Sequence, residues 1–153
     1  MSVEFINARE IGEALEELAM HGEDATVLAG GTDVVMQMHQ RERRPKRLVH
    51  ILKIAELGGI SANTSLSIGA TTTHRELVMS AAVEERHRAL AEAAATVGGR
   101  QTQNIGTIAG NIVNASPAAD LVPALLVADA SVTLLAKDGT RSEIGRASCR
   151  ERV

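Results

Sequence analysis

Aromatic side chains are almost missing from this sequence. Phe5 is the one aromatic residue in 153, with no Trp and no Tyr. Apolar residues still make up 44 %, so a buried core has to be built from Ala, Val, Leu and Ile. Cysteine is as scarce. Cys149 stands alone, which excludes an internal disulfide and any multi-cysteine metal site. Positive charge is not in excess either. The formal net charge of −3 argues against a nucleic-acid surface, which needs a basic patch. The one basic run, residues 41–47, is broken by Glu42 and Pro45 and reads as a solvated loop. No apolar stretch approaches the roughly 20 residues of a membrane span. Glu4, Arg9 and Glu10 interrupt the N-terminus too early for a secretory signal. These absences together predict a cytoplasmic protein.

The C-terminal residues 143–153 have a different character. They follow a good turn, Lys137-Asp138-Gly139-Thr140, after which a second strand is due. The string Glu-Ile-Gly-Arg-Ala-Ser-Cys-Arg-Glu-Arg-Val is instead polar and Arg-rich. Back-translated, it resembles a common short-read sequencing adapter. The expectation is that natural sequence ends near Ser142 and that the protein continues beyond it. Cys149 would then be foreign. Arg146, Arg150 and Arg152 against Glu143 and Glu151 give the tail +1, so without it the formal charge of −3 becomes −4.

Periodicity predicts two lobes. Asn7 as N-cap with Glu10 three residues on reads as a capping box. Ile11, Ala14, Leu15, Leu18 and Ala19 recur at helical spacing up to Gly22. Thr26-Val27-Leu28-Ala29 is a buried strand broken by Gly30-Gly31. Thr32 or Asp33 can cap a second helix through Val34, Val35 and Met38, and residues 47–51 form a further strand. Strand, helix, strand predicts a small parallel β-α-β lobe over residues 1–57. A second lobe, residues 58–142, opens with a strand at Leu66-Ser67-Ile68-Gly69. Thr73 and Glu76 form a capping box, and Ser80 caps one helix running to Gly98-Gly99. Residues 100–117 are polar and rich in Gly and Asn, a long loop of the functional kind anchored by Ile105, Ile108 and Ile112. A helix over residues 121–128 and a strand over residues 131–136 complete it. Met36 and Met38 are expected to fill gaps in the core.

Two segments carry chemistry. In Ala29-Gly30-Gly31-Thr32-Asp33 the glycines let the backbone turn sharply and approach a ligand, and exposed N–H groups at a helix start favour an anion. This is neither a Walker A loop nor a G-x-G-x-x-G fingerprint. In Asn104-Ile105-Gly106-Thr107-Ile108-Ala109-Gly110-Asn111 the same ingredients recur, with hydroxyl and amide side chains added. Asp120 follows, as the N-cap of a helix or as an acceptor for a ligand N–H. Taken singly, each loop also reads as a plain structural turn. No two histidines or carboxylates stand at metal-ligand spacing, and Ser116-Pro117 lacks a nucleophile elbow. His50 reads as a strand residue satisfied locally; His21, His39 and His87 read as solvent-facing.

In order and spacing, A-G-G-T-D, then T-I-A-G-N, then A-S-P-A-A-D-L-V-P resembles the FAD-binding subunit of molybdenum hydroxylases, the family of xanthine dehydrogenases and carbon monoxide dehydrogenase. The resemblance covers essentially residues 5–141. It implies an α+β fold, the two-lobed FAD-binding fold of the vanillyl-alcohol-oxidase (PCMH) type, here with an incomplete second lobe. It assigns FAD contacts to Val27, Leu28, Ala29, Gly30, Gly31, Thr32, Asp33 and Val34, and to Thr107, Ala109, Gly110 and Asn111. Asp120 falls near the flavin ring and His74, in Thr71-Thr72-Thr73-His74, close to the cofactor. Ala109 departs from the Gly of many relatives. The implied partners are a large subunit carrying molybdopterin and a small subunit carrying two 2Fe-2S clusters, with an electron acceptor such as NAD. No catalytic residue and no metal ligand is expected on this chain. The alternatives are an FAD-dependent oxidoreductase of the same fold without molybdenum and a non-enzymatic nucleotide-binding module. Gene neighbourhood and flavin content discriminate among them. Long-read sequencing of the locus is expected to give other codons after Ser142. The same codons followed by a stop would overturn the adapter reading.

Overall fold

A computed structural model describes residues 3–144. Its first part is a three-stranded parallel sheet of β1 (Glu4–Asn7), β2 (Ala25–Leu28) and β3 (Arg47–His50), in the order β1-β3-β2. The central strand carries the most buried residues, with Val49 fully buried and Leu48 nearly so. Phe5 and Val27, on the two edges, stay exposed. Helix α1 (Ile11–His21) packs Ile11, Ala14 and Leu18 with Val49 and Ile54 into a small aliphatic core. Helix α2 (Val34–His39) connects β2 to β3.

Strand β1 is not evident from periodicity, and its formation removes the expected cap of α1. Ala8 N–H donates to the His50 carbonyl at 3.0 Å, which holds Asn7 in the sheet. The Asn7 Oδ1 meets His50 Nδ1 at 2.8 Å instead of capping a helix. Helix α1 starts one turn later, with Glu10 at the N-cap position and no side-chain cap. The Arg9 N–H is taken by the Glu13 carboxylate at 2.9 Å.

The second part is mostly helical. It opens with an antiparallel pair, β4 (Ile60–Ala62) and β5 (Leu66–Ile68). Thr73 then caps α3 (His74–Met79) in the expected capping box: Glu76 N–H donates to Thr73 Oγ1, and Thr73 N–H to the Glu76 carboxylate. Ser80 caps the next segment as expected. That segment is two helices, α4 (Ala81–Arg86) and α5 (Arg88–Thr96), because His87 leaves the helical conformation at φ −145°, ψ 61°. The stretch expected to be a long loop is also largely helical, as α6 (Arg100–Ile105) and α7 (Ile108–Val113). Thr107 makes this possible by accepting the Gly110 N–H as a cap, at 3.2 Å. Helix α8 (Leu121–Val127) and the hairpin of β6 (Ser131–Ala136) and β7 (Gly139–Ile144) complete the described residues. The second strand due after the Lys137-Asp138 turn is thus present. The residues from Gly145 on, with Cys149, lie outside the described residues.

The main core joins Leu77, Val83, Leu90, Ala91, Ala94, Ile108 and Leu121 from five helices. It is wholly aliphatic. Met36, expected to fill a core gap, is 58 % exposed on α2 instead. The two parts meet through residues 57–59. The Leu57 carbonyl accepts both the N–H and the hydroxyl of Thr71, at 2.8 and 2.9 Å, and Thr72 Oγ1 donates to the Gly59 carbonyl at 3.0 Å.

Leu77 is fully buried at the centre of the larger core. Leu77→Ala is expected to cost about 2–5 kcal/mol of unfolding free energy, as large-to-small core substitutions do. Urea unfolding followed by far-UV circular dichroism measures it; a loss under about 1 kcal/mol would mean that the site collapses around the smaller side chain.

Candidate functional site

The first glycine loop leaves the C-terminal end of β2, the edge of a parallel sheet where ligands ordinarily bind. Alternation along β2 sends Leu28 into the interior and Val27 outward. Gly30 lies flat against the end of α6: a Cβ on Gly30 would overlap the Ile105 carbonyl oxygen and crowd the Gly106 nitrogen. Gly31 follows at φ 74°, in the left-handed region that glycine tolerates. Its carbonyl accepts the Val35 N–H at 3.0 Å, which turns the chain into α2. Among the described residues, the N–H groups of Gly30, Gly31 and Thr32 donate to no acceptor. Helix α2 has 6 residues, so these free N–H groups, more than a long helix dipole, make the loop attractive to an anion.

The second loop is locked from the other side. Thr107 bridges to Thr73 in an isolated antiparallel pair. His74 N–H donates to the Gly106 carbonyl at 3.0 Å, Ile108 N–H to the Thr72 carbonyl at 2.9 Å, and Ala109 N–H to the Ala70 carbonyl at 3.2 Å. The Thr71-Thr72-Thr73-His74 segment is therefore zipped onto the loop. Gly106 is also constrained, less tightly than Gly30, since a Cβ there would stand 2.9 Å from His74 Cδ2 and from the Thr102 carbonyl oxygen. Ile108 and Ile112 do anchor the loop in the core, whereas Ile105 is 49 % exposed because its backbone, not its side chain, faces Gly30. Ala109 has already spent its N–H on Ala70.

Polar groups converge between the loops. His74 is 3 % exposed and its Nδ1 has no partner; nor has the buried Oδ1 of Asn111. Burial pushes the His74 imidazole below its ordinary 6.5, while the carboxylates of Asp120 and Asp33 pull it back up. The electrostatic reach of both aspartates to His74 brings the first loop, the second loop and the start of α8 into one neighbourhood. Asp120 occupies the N-cap position of α8 but adopts a helical φ of −61° and makes no side-chain cap. Asp33 likewise sits at the N-cap of α2 without capping it. Asp33 Oδ1 accepts from Asn114 Nδ2 at 3.1 Å and Oδ2 from Thr32 Oγ1 at 3.3 Å. Gln37 Nε2 donates to Asn114 Oδ1 at 3.1 Å. Asn114 thus joins this cluster although neither glycine motif includes it. His50 is satisfied by Asn7 as expected, and His39 is solvent-facing; His21 and His87 are half-buried.

Residues 1–144 match the family described as the FAD binding domain in molybdopterin dehydrogenase. The chain belongs to that family. It is 36 % identical over 141 residues to 6-hydroxypseudooxynicotine dehydrogenase complex subunit alpha of Paenarthrobacter nicotinovorans, covering 92 % of this chain and 48 % of that protein. It is 35 % identical over 136 residues to the xanthine dehydrogenase FAD-binding subunit of Escherichia coli O157:H7, covering 88 % and 46 %. A solved carbon monoxide dehydrogenase from Hydrogenophaga pseudoflava, lacking the Mo-pyranopterin moiety of its cofactor, superposes with a TM-score of 0.92 at 34 % identity, over 95 % of this chain and 51 % of that one. The fold is accordingly the α+β FAD-binding fold. The chain spans about half the length of the curated relatives it matches. Among the described residues no helix is long and apolar enough to cross a membrane.

The site fits FAD on its own geometry. Free loop N–H groups suit a pyrophosphate, and two buried unpartnered atoms, one on His74 and one on Asn111, await a polar ligand. His74 also sets a pH dependence. Its lowered pKa means that the unfolded chain takes up a proton first as pH falls, so stability is full above 6.5 and declines below it. His50, lowered by burial and by Lys53, acts in the same direction. His74→Gln is expected to flatten the fall of unfolding free energy as pH drops below about 6.5. An unchanged slope in urea titrations across that range would assign the dependence to other groups.

Proposed function

We propose that this chain is the FAD-binding half of the FAD subunit of a cytoplasmic molybdenum-containing hydroxylase or dehydrogenase, an oxidoreductase of the xanthine dehydrogenase type. Electrons from 2Fe-2S clusters of a small partner subunit would pass through FAD to an acceptor such as NAD. A large partner subunit holding molybdopterin would oxidise the substrate. When bound, FAD supplies the exchange between one-electron and two-electron transfer. The observation that carries the reading is the interlock of two glycine loops, with unpartnered N–H groups on one and buried unpartnered atoms beside the other.

In this proposal residues 1–57 and 58–142 are the two lobes of the cradle. Val27, Leu28, Ala29, Gly30, Gly31, Thr32, Asp33 and Val34 wrap the pyrophosphate, Leu28 and Ala29 through backbone alone. Gly30, Gly31 and Thr32 donate their N–H groups to it. Thr107, Ala109, Gly110 and Asn111 form the opposite wall, Ala109 by its surface since its N–H is engaged. Asn111 Oδ1 and His74 Nδ1 take polar edges of the cofactor, and Asp120 accepts an N–H from the ring system. No residue on this chain acts as acid or base. With Cys149 as their only cysteine, these 153 residues cannot by themselves supply the thiolate ligands of an iron–sulfur cluster.

The test uses the full-length gene product, with its natural C-terminal half. Purified protein is expected to be yellow with a flavin visible spectrum. Gly30→Ala, which drives a methyl into the Ile105 carbonyl, is expected to remove the colour or to weaken FAD uptake at least about tenfold, a change of about 1.4 kcal/mol. A colourless wild type that takes up no added FAD would overturn the assignment.

A further inference from the structure

Asn114 lies outside both glycine loops, at the C-terminal end of α7. Among the described residues it is the one side chain that bonds to both the start and the body of α2. Its amide carbonyl accepts from Gln37 Nε2 at 3.1 Å, and its amide NH2 donates to Asp33 Oδ1 at 3.1 Å. These bonds join positions 77 and 81 residues apart in sequence. Opposite donors and acceptors fix the amide's orientation: rotated by half a turn, its NH2 would face the Gln37 NH2 and its carbonyl the Asp33 carboxylate. An Asp at an N-cap ordinarily accepts from the N–H groups of its own helix. Asp33 has helical backbone angles and makes no such bond, and its carboxylate meets Asn114 and Thr32 instead.

We infer that Asn114 is a positioning residue for the cofactor: by bonding to both Asp33 and Gln37 it ties α2 to the end of α7 and keeps the two loops at binding distance. The inference rests on the FAD reading above. Asn114 touches no reacting atom in this role. It acts through Asp33 and Gln37, which carry the helix that follows the first loop. Gly30 sets how closely the loops approach; Asn114 holds them there.

A second carboxylate within the pair tests this. In the full-length protein, Asn114→Asp sets it against Asp33 without changing size. Its apoprotein is expected to keep the wild-type melting temperature, because the one bond it loses, to Asp33, is solvent-exposed. Its FAD dissociation constant, from quenching of flavin fluorescence on titration, is expected to rise about tenfold or more. Adding Asp33→Asn restores an amide–carboxylate pair in the opposite sense, and affinity is expected to recover most of the loss. A melting temperature that falls with affinity unchanged, or a double variant that binds no better than Asn114→Asp alone, would overturn the inference. A wild-type apoprotein that takes up no FAD would overturn the parent reading instead.

Discussion

The close approach of Gly30 to the Ile105 carbonyl is the contact on which the rest of the site depends. It joins the end of a parallel sheet to the end of a helix that begins 100 residues into the chain. No other residue type fits at position 30, because any Cβ would occupy the space of the Ile105 backbone oxygen. Around that contact the structure is built from both sides. Leu28 holds the first loop down into the sheet, while the threonine-rich strand before α3 holds the second loop by backbone pairing.

This construction leaves polar groups free in a selective way. The helix-start aspartates, Asp33 and Asp120, are the residues best placed to satisfy the N–H groups behind them, and neither does so. Thr73 and Thr107, by contrast, cap their helices in the ordinary manner. The caps are therefore complete where the loops are anchored and missing where they face outward. His74 sits at the junction, with its backbone engaged by Gly106 and its imidazole buried short of a partner at Nδ1. A buried neutral imidazole between two carboxylates can donate or accept according to what meets it, which suits a site that is finished by a ligand.

Much of this was legible in the sequence, for identifiable reasons. The strand–glycine–helix turn at Gly30, the capping box of Thr73 and Glu76, and the helix after Asp120 follow from local chemistry, and the structure contains all three. Local rules failed where tertiary contacts intervened. Asn7 and Glu10 satisfy the pattern of a capping box, yet sheet pairing at Ala8 claims that segment first. Gly and Asn in residues 100–117 read as loop formers, yet a threonine cap, the buried Ile108 and the half-buried Ile112 make helices of most of it. Ile105 looked like an anchor and is one, through its carbonyl. Asn114 carries no local signal at all, since its partners lie on α2; only the folded chain brings them together.

The aliphatic core has an optical consequence. With no Trp, no Tyr and a single Phe that is half exposed against His50, these 153 residues are almost transparent at 280 nm and contribute almost no ultraviolet emission. Any flavin held by the two loops would therefore find no Trp or Tyr among these residues to stack on it or to quench it by electron donation.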